Sequence, residues 1–228
     1  MTSRKNSQQA AKNNQAGLDF YETWELQQAV AAFLSAVEAE PDNPEYHLNL
    51  ARTYARQGDF GQAMQALGNY LHNETQDEVA SRYEQMFSSA LDEVEQAVTE
   101  VMPKLDMTLP QVGKALQMWL EYRIVAGRKP LRIPKPKTWA AALTFGIIKV
   151  NFLDTSRADV AAAYEVTEAA LNKKYKELVE VLDLMPGDFR YYLGEENPLD
   201  RVLAAGESPE AAAILAELER RFTNGNGQ

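Results

Sequence analysis

Apolar positions recur along this chain with the spacing of helices. From Glu78 to Leu184 a 3.6-residue rhythm predicts five helices, at about 78–101, 109–126, 138–153, 157–163 and 168–184. The breaks fall at Pro103, Pro110, Pro130 to Pro136, and Pro186-Gly187. No segment alternates strictly or joins β-branched runs through hairpin turns, so no sheet is expected. The fold class read from this pattern is all-α. The third of these helices, with Thr138 as N-cap and WAAALTFGIIKVNFL after it, is apolar on nearly every side, which predicts a place in the middle of a bundle. A last helix, PEAAAILAELERRF, follows Ser208 as N-cap with Pro209 at its first position. Its stripe of Ala213, Ile214, Leu215, Leu218 and Phe222 requires a surface to dock on.

The N-terminal part repeats itself. Residues 16–41 and 50–71 align at an offset of 34, which pairs Gly17 with Ala51, Phe20 with Tyr54, Ala29 with Ala63 and Phe33 with Leu67. Small residues sit where two helices would touch, and large ones fill between. Pro41 closes the first unit, PDNP at 41–44 makes the turn, and Gly58 serves the turn inside the second unit. Trp24 stands where the first unit would have that glycine. Period, phase and small positions resemble the tetratricopeptide repeat over roughly residues 10–75. The resemblance implies a concave face built from the first helix of each pair, with Asn14, Leu18, Tyr21, Leu48, Arg52 and Arg56 facing a peptide or helix of a partner protein. Arg52 and Arg56, one helical turn apart, suit an acidic or C-terminal peptide group, or else pair with nearby acids as a solvated edge.

Two such units do not bury their faces alone, so a cap is expected. The helix read at 78–101, carrying Val79, Tyr83, Met86, Ala90, Val94, Ala97 and Val101, fits that role while opening the next domain. Domain limits follow: a disordered start at 1–12, two repeats at 13–75, a helical domain at 76–185, an extension with a final helix at 186–222, and a disordered tail at 223–228. Phe189, Tyr191, Tyr192 and Leu193 are read as anchors of the extension.

In the second half, PKTWAAALTFGIIKV followed by SRADVAAAYEVTEAALNKKYKELVEVL is similar to the cyclin-like fold shared by cyclins and the initiation factor TFIIB. It also resembles a bacterial domain of unknown function with the same layout. Within it VAAAYEVTEAAL reads as a helix–turn–helix with Val160, Tyr164, Val166 and Leu171 in the core and Ala161 as the small contact. Residues 168–184 would then offer Asn172, Lys173 and Lys176 to a DNA groove. Glu165 occupies the turn position that favours glycine, and with Glu168 it places acid where phosphate would approach. A pair of packing helices is the competing reading.

Charge sharpens the picture. The net charge is −10, which opposes attraction of the whole protein to nucleic acid or anionic membrane. Yet Arg123, Arg128, Lys129, Arg132, Lys135, Lys137 and Lys149 fall between Tyr122 and Leu153 without one acid, leaving −17 on the remainder. GRKPLRIPKPK is a proline-stiffened connector that either meets phosphates, with Lys173, Lys174 and Lys176, or lies against the acidic C-terminal part or a protein partner. No aromatic residues are interleaved to stack bases.

The chain has no cysteine and only two histidines, His47 and His72, so no disulfide, thiolate metal site or histidine triad is expected, and no cofactor. MTSRKNSQQAAKNNQ does not read as a secretory signal, and the run from Trp139 to Leu153 falls short of a membrane span; a cytoplasmic protein is expected. No P-loop, dinucleotide glycine fingerprint or nucleophile elbow occurs, so the chain is read as no enzyme. The function expected is a non-catalytic adaptor: the repeat groove takes a peptide or helix and the cyclin-like domain a second protein. The alternative is a transcription-related DNA-binding regulator acting through residues 157–184 and the connector 128–137.

Overall fold

In the computed structural model the described residues are 2–76, 92–126, 133–198, 200, 215–217 and 220. Every regular element among them is helical. The chain divides into two compact units, Met1–Ser88 with Arg220–Gln228, and Ser89–Glu219.

The first unit holds α1 (Thr2–Glu22), α2 (Leu26–Ala39), α3 (Pro44–Gln57) and α4 (Phe60–Asn73). Residues 2–12, expected to be disordered, instead form the first half of α1. Gln, Ala and Lys are good helix formers, and Ala10 is buried in a small cluster with Ala36 and Tyr46. α1 packs on α2, α3 on α4, and α2 on α3. The small residues do what the repeat pattern requires: a Cβ placed on Gly17 would lie 2.6 Å from the Phe33 ring. Ala29, Phe33, Ala51, Ala63 and Leu67 are all buried.

The turns repeat as well. Glu25 N–H donates to Phe20 C=O and Trp24 N–H to Tyr21 C=O; 34 residues on, Asp59 N–H donates to Tyr54 C=O and Gly58 N–H to Ala55 C=O. Asn43, Pro44 and Asp59 start α3 and α4 by capping and by a proline that needs no partner for its missing N–H.

The second unit contains α5 (Glu93–Val101), a 3₁₀ turn (Met102–Leu105), α6 (Leu109–Ala126), α7 (Pro136–Val150), α8 (Arg157–Ala163) and α9 (Glu168–Leu182). α7 is buried on all sides from Thr138 to Ile148, with α5, α6, α8 and α9 packed on it. Gly146 lets Met118 of α6 come close, since a Cβ there would be 3.1 Å from its sulfur.

Four helix boundaries differ from the sequence reading. The helix expected over 78–101 does not run through Asp92, which takes an extended conformation and forms a capping box with Glu95, starting α5 at Glu93. Residues 77–91 lie outside the described residues. Thr138 is not a cap: α7 begins two residues earlier at Pro136, and Thr138 is buried in its first turn. α7 and α9 end early, at Val150 and Leu182, where Phe152 and Asp183 turn into the left-handed region.

The limit expected at residue 185 also falls inside this unit. Gly187 N–H donates to Val150 C=O, and Asn151 bridges Tyr191 C=O and Leu193 N–H. Tyr191 is fully buried, whereas Leu193 stays 39% exposed. Of the final helix, 215–217 and 220 are helical; Ala213, Ile214, Leu218 and Phe222 lie outside the described residues.

Candidate interaction site

The first helix of each pair, α1 and α3, brings a line of polar side chains together. Asn49 Nδ2 donates to Asn14 Oδ1 at 2.9 Å, and Arg52 donates to Asn49 Oδ1 at 3.1 Å. One turn further along α3, Arg56 donates to Tyr21 C=O at 3.2 Å. Its guanidinium lies 3.9 Å from the centre of the Tyr21 ring and 4.7 Å from that of Trp24. Cation–π contacts of this kind, partly desolvated, are worth about 0.5–2 kcal/mol.

Of the six residues expected on this face, the structure joins Asn14, Tyr21, Arg52 and Arg56 through these contacts. Leu18, Tyr21 and Arg52 are half-buried, and Asn14, Leu48 and Arg56 are buried. Arg56 is therefore not an open groove residue. Its charge rests on two aromatic rings, and that follows from its length and its place in the last turn of α3. Asn49, Thr53 and Trp24 belong to the same cluster and were missed; the polar Asn49 amid the apolar positions of α3 was the available signal. Arg52 and Arg56 each keep a buried Nε without a hydrogen-bond partner.

Among the described residues, several cations of the second unit are paired with acids. Lys137 meets Glu165, Arg157 meets Glu168 at 3.0 Å, and Lys174 meets Glu177 at 2.6 Å. The Lys137 ammonium holds the Glu165 carboxyl below its ordinary range. Glu165 has φ +57°, so the turn between α8 and α9 takes the left-handed residue expected there. Val160, Tyr164, Leu171 and Ala161 are core, with Val166 packed beside them. Asn172 accepts a long contact from Arg157. Lys135, Lys173 and Lys176 are exposed, while Arg128, Lys129 and Arg132 lie outside the described residues.

Sequence reasoning missed a second polar cluster. Arg190, wholly buried, donates to both oxygens of Asp188, to Glu121, and to Leu182 C=O at 2.9 Å; Tyr191 donates to the other oxygen of Glu121. Burial disfavours the Arg190 charge, but Asp188 and Glu121 outweigh it and raise its pKa. Burial and the Glu121 charge raise that of Tyr191. These buried groups bond to one another, which is the chemistry of a fastening.

Among the described residues no group of three His, Cys, Asp or Glu side chains is placed to hold a metal ion. No helix among them is long and apolar enough to cross a membrane.

Residues 25–82 match the family model described as Tetratricopeptide repeat. The matched segment covers α2 to α4 and agrees with the 34-residue recurrence of turns and small contacts. Comparison with curated proteins and with solved structures finds no match. The chain thus carries tetratricopeptide repeat sequence in an all-helical fold, and repeats of this kind generally mediate protein–protein interactions.

Proposed function

We propose that this protein is a non-catalytic adaptor in which the α1/α3 face binds a peptide or helix of a partner protein, while the cyclin-like second unit engages a second partner. The observation that carries the first half is the Asn14–Asn49–Arg52 line running into Arg56 on its aromatic seat. It sets the half-buried Arg52 guanidinium beside half-buried Leu18 and Tyr21, and that combination suits an acidic segment with an apolar side chain. A photo-crosslinking residue at position 18, followed by identification of the captured protein, tests the reading. Capture that a folded Arg52→Glu chain loses by tenfold or more supports it. Undiminished capture by that variant sinks it.

A duplex-DNA role for the second unit rests on exposed Lys135, Lys173 and Lys176 and on the connector with Arg128, Lys129 and Arg132. The three ion pairs with Glu165, Glu168 and Glu177 weigh against it. Titration of a labelled mixed-sequence duplex at low and near-physiological salt decides, because phosphate contacts make affinity fall steeply with salt. A flat response at low salt retires the DNA role.

A further inference from the structure

Arg220 belongs to the first unit, although the residues immediately before it belong to the second. Its guanidinium donates to the Thr23 carbonyl at 2.5 Å across 197 positions of sequence. Thr23 follows the last residue of α1, where carbonyls lack helical partners and a positive charge is favoured. Asp19, Glu22 and Glu25 surround that carbonyl in sequence, and Thr23 Oγ1 donates to Glu25 at 3.0 Å. Arg220 is the cation that meets this acidic corner, and in sequence a second, Arg221, follows it directly. We infer that the first unit has a binding site for an arginine-bearing segment at the α1–α2 corner, and that the C-terminal segment of the same chain occupies it.

The site neighbours the groove without being part of it. Tyr21 and Trp24, on either side of Glu22-Thr23, are the rings on which Arg56 rests. A segment held at Thr23 therefore stands at one end of the α1/α3 face and is placed to hinder a partner that reaches that end. Occupancy by the tail does not depend on whether the groove binds any partner.

The absence of cysteine allows a direct test on the full chain. Spin labels at Ala31→Cys, on the exposed side of α2, and at Thr223→Cys report the distance between the corner and the tail. A single narrow distribution is expected, kept by Arg220→Lys and broadened by Arg220→Glu. Distributions that are broad in both the parent and Arg220→Glu, or the same in both, overturn the proposal. Dilution with a tenfold excess of unlabelled protein should leave the distance unchanged; its loss would assign the contact to two copies and overturn occupancy in cis. As a second reading, a fluorescent peptide of residues 215–228 should bind a chain ending at residue 219 at least tenfold more tightly than the full chain. Equal binding to both, with the shortened chain's helical circular dichroism intact, would also overturn it. No outside partner enters these measurements, so their failure is separable from failure of the adaptor reading.

Discussion

Trp24 and Gly58, 34 residues apart, occupy the same place in two successive turns, and both have left-handed backbone, with φ of +63° and +82°. Glycine takes that conformation freely; tryptophan does so at a cost of about 1–2 kcal/mol. The indole offsets the strain because it is buried and carries the Arg56 guanidinium on its face. Trp24→Gly should therefore destabilise the first unit, despite the better backbone, by about 2–3 kcal/mol, since loss of a buried Trp costs about 3–5 kcal/mol. Gly58→Ala should also destabilise, by about 1–2 kcal/mol, though a Cβ there meets nothing within 4 Å. Denaturant titration of both variants checks the pair; a stabilised Trp24→Gly chain would contradict the account.

Gly17→Ala tests the contact between α1 and α2. The added methyl would press on the Phe33 ring from 2.6 Å, so overpacking should cost about 1–3 kcal/mol. Phe33→Leu in the same chain should recover part of the loss, and a double-mutant cycle gives the coupling. Additive losses would mean that the two residues do not meet.

These small-to-large contacts were legible in the sequence because a helix has one phase: once Gly17 and Ala51 align, Phe33 and Leu67 can only fill the gap they leave. The apolar faces of α7 placed it at the centre for the same reason. Phase does not say where a charged side chain lies, however. Arg56 read as a groove-facing peptide ligand or else a solvated edge, yet its long stem lets the guanidinium fold back on Tyr21 and Trp24. The cluster of Asp188, Arg190 and Glu121 was not legible because it depends on a turn at Gly187 that returns the chain to Val150. Asp92 was hidden in the same way, as a polar break inside a continuous apolar rhythm.

The Glu121–Arg190–Asp188 cluster should behave as a buried ion network. Removing one member leaves buried charge uncompensated, so Arg190→Leu should cost about 3–5 kcal/mol. Replacing Glu121, Asp188 and Arg190 together with apolar residues of similar volume should cost far less. Equal losses for the single and triple variants in chemical denaturation would show that packing, not charge, holds the segment.

Alkaline titration gives a third reading of the core. Burial raises the pKa of Tyr122, with help from Glu177; it raises that of Tyr164 against the opposing Thr144 hydroxyl, and that of Tyr191 together with Glu121. A folded-state pKa above the unfolded value of 10.0 means stability that is complete below pH 10 and declines as pH rises beyond it. Phenolate absorbance should therefore appear in two stages, with these three of the ten tyrosines ionising only as the second unit unfolds. A single reversible stage with the helical signal intact would contradict their burial.

Arg52 and Arg56 should separate structure from recognition. Arg52 makes one side-chain bond on a half-buried site, so Arg52→Ala should change stability by no more than about 1 kcal/mol. Arg56→Ala removes two ring contacts and the bond to Tyr21 C=O, leaving that carbonyl and the faces of Tyr21 and Trp24 without their cation; about 1–3 kcal/mol should be lost. In a binding assay with the captured partner, Arg52→Ala should weaken affinity in a chain of nearly unchanged melting temperature. Any affinity lost by Arg56→Ala should follow its loss of stability, and Arg56→Lys should restore less than half of either, because an ammonium does not stack as a planar guanidinium does. If Arg56→Ala instead melts like the parent and loses all binding, the guanidinium leaves the rings to meet the ligand, and its aromatic seat is a resting position.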